Sequence, residues 1–196
     1  PEAGVLLRSV IYRKKVKPTD GSAYETKVFE YERASGTAIH ELAPSNHFYA
    51  EGRKVQVDQI DLNLSEVEDW RFCPACSHAE IEATVGSKDA CPRCHSTLWS
   101  DAGQVRPMVR LRQVLATTSD KESRSYDDSD DRTPEFFSRA MLVDVDPNHV
   151  ETAWRISRAE LPFGFEFARK VTFRDVNFGK PLQEGGHIHI AGREVP

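Results

Sequence analysis

All four cysteines of this 196-residue chain fall in two short repeats, Cys73-Pro74-Ala75-Cys76 and Cys91-Pro92-Arg93-Cys94, with residues 77–90 between them. No other feature narrows the possible folds so sharply. Two residues between cysteines let a tight turn aim both sulfurs at one point while backbone amides face the thiolates. Two such turns at the ends of a hairpin complete a tetrahedron. Pro at the second position of each pair fixes φ, so each turn is partly shaped before a cation arrives. The spacing therefore reads as a zinc ribbon with Cys73, Cys76, Cys91 and Cys94 as ligands. Zn²⁺ is the first choice because four soft thiolates suit a d¹⁰ ion, and a closed shell leaves no position for water or substrate, which makes the metal structural. The rivals are disulfides, a mononuclear iron site, a [4Fe-4S] cluster and a thioredoxin-like redox pair. Matched CxxC turns fit neither ferredoxin spacing nor the βαβ setting of a redox motif, and the absence of a signal peptide argues against disulfides.

The rest of the chain must host this ribbon. At roughly 100 to 200 residues per domain, its length allows one domain, or one domain with a small module. Hydrophobic residues make up 39%, charged residues 29%, and mean hydropathy is -0.55, which suits a globular protein with a modest core. No apolar run approaches the roughly 18 residues of a membrane helix, and the first 30 residues lack a secretory-type core, so a cytoplasmic setting is expected. The net charge of -5 and pI of about 5.8 mean that any contact with nucleic acid must use a local patch. Pro1 in place of an initiator Met leads us to expect a piece of a longer protein.

Periodicity predicts a mainly β fold: an antiparallel β domain carrying the inserted ribbon, with one or two helices at most. Apolar residues alternate over 54–58 and 60–64, with one residue out of step near Asp58, and the same period of two recurs at 109–111, 141–145, 154–156, 163–167, 171–173 and 187–190. The expected boundaries are 1–68 and 101–196 as two parts of the β-rich domain, and 69–100 as the ribbon. Residues 1–17 carry five basic side chains beside a partial helical stripe of Val5, Leu6, Leu7, Val10 and Ile11, which suggests a helix or strand ending at Pro18. Their bland reading is a solvated basic face. Residues 117–133 contain one aromatic and no aliphatic side chain, so an exposed flexible loop is expected. Its Asp127, Asp128, Asp130 and Asp131 lack the alternation, central Gly and terminal Glu of a calcium loop.

Arg71, Arg93, Arg106, Arg110 and Arg112 lie in or just outside the ribbon, and Trp70, Phe72 and Trp99 flank its turns. Interleaved in this way they are candidates for phosphate pairing and base stacking, against the plainer reading that the aromatics form the ribbon's own small core. His78 and His95 adjoin ligand turns that four cysteines already complete. His187 and His189 share one strand face, but no carboxylate motif completes a catalytic or metal site with them. Phosphate-binding GxxxxGK[ST], HExxH and GxSxG motifs are all absent, so the segment reads as non-catalytic.

Three further stretches accompany the cysteines in order: Glu41-Leu42-Ala43-Pro44 with Glu51-Gly52-Arg53-Lys54 before them, and Val176-Asn177-Phe178-Gly179 after an aromatic-rich strand. Over roughly residues 38–192 this order resembles the accessory region of unknown function in bacterial DEAD/DEAH-box helicases and their partner proteins. These include MrfA-like repair helicases and the helicase-like proteins of DISARM and Druantia defence islands. The resemblance implies an ATP-driven motor elsewhere in a parent chain, a zinc site at the four cysteines and a duty connected with DNA. The expected partners are other domains of the parent, a partner subunit, or DNA. Ser45 stands where the family pattern has Gly after the Ala-Pro pair, and Ser77 and His95 replace the frequent Gly after the second cysteine of each turn, so a positive φ at Ser77 or His95 would carry strain.

Overall fold

The computed structural model describes residues 4–14, 24–124, 138–156, 163–179 and 188–195. In chain order the first strands are β1 (Val5–Lys14) and β2 (Tyr24–Arg33), then helix α1 (Ser35–Glu41), β3 (His47–Ala50), β4 (Arg53–Gln56) and β5 (Gln59–Ile60). Next come β6 (Glu66–Phe72), β7 (Ala79–Ile81), β8 (Val105–Arg110), β9 (Gln113–Ser119) and the helical turn α2 (Asp120–Ser123). The rest are β10 (Arg139–Val145), β11 (Val150–Arg155), β12 (Gly164–Ala168), β13 (Val171–Asn177), β14 (Ile188–Ile190) and β15 (Arg193–Val195). The protein is mainly β, and it closes as two compact units: Pro1–Val67 with Val109–Phe137, and Glu68–Met108 with Ser138–Pro196. The segment expected as the ribbon insert, 69–100, shares its unit with 138–196, where Phe72 and Ala79 bury together with Ala140, Leu142 and Ile190.

In the first unit a sheet of order β2-β1-β9-β5 forms the frame. Val5, Leu7 and Ser9 of β1 are buried while Arg8 between them is exposed, the period of two that a half-buried strand requires. This settles the N-terminal stripe as strand. β1 is paired on both sides, antiparallel to β2 and parallel to β9, so one parallel ladder sits within the mainly antiparallel fold. Val5 and Leu7 pack with Leu42 after α1, Phe48 of β3, Val55 of β4, and Val114 and Ala116 of β9. The β3–β4 turn has Glu51 at φ 52° and Gly52 at φ 70°, the two left-handed central residues of a type I′ hairpin.

Two expectations change here. The alternation over 54–64 is not one strand with a bulge: β4 stops at Gln56, Val57 bonds back to Asn46, and only Gln59–Ile60 pairs with β9. The stretch expected as loop from Thr117 begins instead as the end of β9, where Thr117, Thr118 and Ser119 pair with Val10, Ile11 and Tyr12, and then turns into α2. Ladder hydrogen bonds to β1 order those residues although they bring no aliphatic side chain, so tertiary pairing overrides composition. The remainder, 125–133, with its aspartates, lies outside the described residues.

The second unit combines a three-stranded sheet of order β7-β6-β8, a long ribbon and a small hairpin. In the ribbon β10 pairs with β13 and β11 with β12. The Arg169 amide donates to the His149 carbonyl at 2.9 Å, so the two ladders run on as one arm across the 3-10 turn Pro147–His149. The Val176–Gly179 motif ends this arm: Phe178 meets Phe72 edge-on at 5.5 Å, and Asn177 Oδ1 accepts from the Gly179 amide, whose φ is 89°. No described helix is long and apolar enough to cross a membrane.

Candidate metal centre

Cys73 and Cys76 sit in the turn after β6, and Cys91 and Cys94 in the matching turn before the 3-10 segment Thr97–Ser100. The two turns repeat one hydrogen-bond pattern. The Cys73 amide donates to the His78 carbonyl at 2.9 Å and the Cys91 amide to the Ser96 carbonyl at 3.0 Å, five residues on in each case. The sulfurs of Cys73, Cys76, Cys91 and Cys94 accept from the amides of Ala75, His78, Arg93 and Ser96 respectively, always two residues ahead. This gives each turn an approximate copy of the other around a common centre.

All four Sγ atoms lie within 4.8 Å of one another, with Cys73 to Cys94 at 3.5 Å and Cys76 to Cys91 at 3.7 Å. A disulfide needs about 2.05 Å, so these are not bonded pairs. A tetrahedral ion holding sulfur at about 2.3 Å sets its ligands about 3.8 Å apart, and the cluster fits that edge length. Three of the thiols have shifted acidities. Burial pushes the Cys73 thiol up to about 11, despite the Ala75 and Cys76 amides, and raises Cys76 further. At Cys94 burial also pushes upward, but the Ser96 amide and the neighbouring sulfurs outweigh it and hold that thiol below its usual value. A cation held at the centre would supply positive charge that favours the thiolate form of its ligands.

Beneath the cluster the packing is aromatic and ionic. Trp99 is fully buried with Cys73 and Cys91, and its indole Nε1 donates to the Ser87 carbonyl at 3.3 Å. His78, 2% exposed, donates from Nδ1 to Asp144 Oδ2 at 2.8 Å and faces Glu80 Oε1 with Nε2 at 2.9 Å. Asp144 also receives Arg93 Nε at 3.2 Å and Arg174 Nη1 at 3.3 Å. Burial pushes the Asp144 carboxyl up, but the His78 and Arg93 contacts outweigh it and hold it below the ordinary carboxylate range. One carboxylate thus ties both cysteine turns to β10 and β13. The β14–β15 turn closes the other side, where the Ala191 and Gly192 amides donate to the Cys73 and Pro74 carbonyls at 3.1 and 2.8 Å.

The five arginines expected at a nucleic-acid surface separate into different roles. Arg71 is an internal strut, with a side chain 5% exposed: Nε and Nη2 hold Glu82 at 2.6 and 3.0 Å, and Nη1 donates to the Trp99 and Asp101 carbonyls. That commitment withdraws it from phosphate contact. Arg93 is shared between Asp144 and Asp146, both at 3.2 Å. Arg106 donates to the Gly103 and Val105 carbonyls, and Arg110 and Arg112, exposed, belong to the first unit. Phe72 and Trp99 are buried and Trp70 is half-buried under the Arg174 guanidinium, so the flanking aromatics are core rather than stacking platform. His95 is exposed at φ 60°, His187 lies outside the described residues, and of His189 only the backbone in β14 is described.

Sequence reasoning passed over Asp144 and Glu82. Asp144 had a signal: it occupies the inward position in the alternation Ala140, Leu142, Asp144, where a third buried apolar residue was due. Compared with known proteins, this chain matches no family model, no curated protein and no solved structure.

Proposed function

We propose that this segment is a non-catalytic accessory module in which a structural Zn²⁺, held by Cys73, Cys76, Cys91 and Cys94, shapes a surface that positions neighbouring domains or a partner subunit. The observation that carries it is the closed cluster of four sulfurs within 4.8 Å, with no fifth ligand position needed and its surrounding charges turned inward. When bound, zinc contributes a rigid crosslink and the positive charge that keeps the thiols ionised. The polypeptide supplies the amide donors, the buried Trp99 and the Asp144 and Glu82 ion pairs that hold the turns in place.

The resemblance to helicase accessory regions supports a role for such a module in a DNA-processing or anti-phage defence protein, with the motor elsewhere in the parent. Direct engagement of nucleic acid is the second reading, favoured by the exposure of Arg110 and Arg112. Elemental analysis of purified chain tests the first reading, with one zinc per polypeptide expected and none overturning it. Binding to single- and double-stranded DNA across a salt series separates the two. A steep loss of affinity with salt that Arg110→Ala and Arg112→Ala reduce supports the second, and no salt-sensitive binding leaves the positioning role.

A further inference from the structure

We propose that the outer end of the ribbon in the second unit is a self-association surface, on which the β11–β12 hairpin of a second copy of this chain packs face to face. Phe163, Phe165 and Phe167 fall every second residue and so share one face, and the ladder sets Trp154 opposite Phe165 and Thr152 opposite Phe167. The Ile156 amide donates to the Phe163 carbonyl at 3.0 Å, which places Ile156 beside them. Phe163 and Phe165 meet edge to face at 4.9 Å. Yet Trp154 is 68% exposed, Phe165 59%, Phe167 55% and Phe163 52%.

The opposite face of the hairpin carries Ala153, Arg155, Gly164 and Glu166. Apolar on one side and polar on the other, the hairpin has the alternation of one layer of a two-layer β structure, and among the described residues nothing supplies the other layer. A lone two-stranded hairpin is marginal in water, which makes a bare aromatic face a stability problem unless something covers it.

The charge pattern and the area decide what that is. Over 150–156 and 163–170 the charged residues are Glu151, Arg155, Glu166, Arg169 and Lys170, and Glu151 pairs with Arg169, so the described hairpin carries a net charge of only +1. That is too little field to draw a phosphate backbone to these rings. An equal apolar face suits them better. Four aromatic side chains of about 150 to 250 Å² each, a little over half bare, offer roughly 450 Å² per copy and about 900 Å² for a pair. Ile156 and the backbone bring this near the roughly 1,000 Å² at which specific association begins. The same patch on both copies gives a closed two-fold dimer rather than an open chain.

Sedimentation equilibrium of the 196-residue chain, from about 1 to 300 µM, tests this and should show a reversible dimer of micromolar dissociation constant. Phe165→Asp should weaken that constant by about thirty-fold or more, with Phe165→Leu close to the parent. Trp154→Ser is a second, independently placed disruption, and bound-metal stoichiometry shows that each variant is folded. A monomer across the whole range, or an unaltered dimer in metal-loaded Phe165→Asp, overturns the proposal. So does saturable binding of an oligothymidylate that Phe165→Asp abolishes, which would assign the face to nucleic acid instead.

Discussion

Asp144 accepts a 2.8 Å hydrogen bond from the His78 imidazole while it receives the Arg93 guanidinium on its other oxygen. The first comes from the turn of Cys73 and Cys76 and the second from the turn of Cys91 and Cys94, so one buried carboxylate on β10 fixes the two halves of the cluster against the same strand. Asp144→Ala takes the acceptor from His78 Nδ1 and from the Arg174 guanidinium, and leaves Arg93 with Asp146 and His78 with Glu80 alone. A loss of about 3 kcal/mol is expected, since removing one partner of a buried ionic group strands the others. Urea unfolding of metal-loaded protein measures it, and competition with a chromogenic chelator should show weakened metal retention in the same variant.

Removing the metal should affect the two units differently. The buried core around Leu7, Phe48 and Val114 is made wholly of first-unit residues, whereas Cys73, Cys91 and Trp99 form a core of their own about the cluster. With strong chelation, or in Cys76→Ser, hydrogen exchange should become fast at the amides of 73–96 and stay slow in β1 and β9. Structural zinc contributes on the order of 10 kcal/mol to small domains, so the loss of protection around the cluster should be near complete.

Glu82 gives the clearest pH signature. Its hydrogen bonds to Arg71 and Lys88 hold the carboxyl down to about 2, from an ordinary value of 4.5. Because the folded value is the lower one, the ion pair stabilises the fold fully above about pH 4.5. That contribution fades as pH falls and is gone below about 2. Glu82→Gln should therefore be less stable than the parent by a constant margin from pH 8 to 5, and the margin should shrink on further acidification. A margin that grew toward acid would contradict this account.

Two backbone positions invite a gain of stability. Ser45 and His95 hold φ at 72° and 60°, in the left-handed region that costs an L-residue about 1 kcal/mol or more relative to Gly. His95 is exposed, so His95→Gly relieves strain while its imidazole gives up little packing, and a gain of about 0.5 to 1 kcal/mol in stability, read by thermal unfolding, is expected. Ser77→Gly serves as the control. Its φ is not positive, so glycine there should bring no gain.

Of these features, the cluster was the most legible in the sequence because its chemistry is local: four ligands in two turns, each set by a four-residue motif. Most strands were legible too, through the period of two. What escaped was set by pairing across long separations. Thr117 to Ser119 carry no apolar signal and became strand only because β1 lies beside them in parallel. The fate of Arg71 turned on Glu82 and on two carbonyls about thirty residues away, so its local setting of basic and aromatic neighbours pointed outward when the side chain turns inward. Positive φ at His95 was foreshadowed by the missing glycine after its cysteine turn, and Ser77 shows that the same absence need not signal it.

The Cys73 and Pro74 carbonyls are met by the amides of Ala191 and Gly192, more than a hundred residues further along the chain. During translation the first cysteine turn therefore leaves the ribosome well before its last hydrogen-bond donors are made. A cation captured early would hold an incomplete knuckle until the β14–β15 hairpin emerges and brings those two donors.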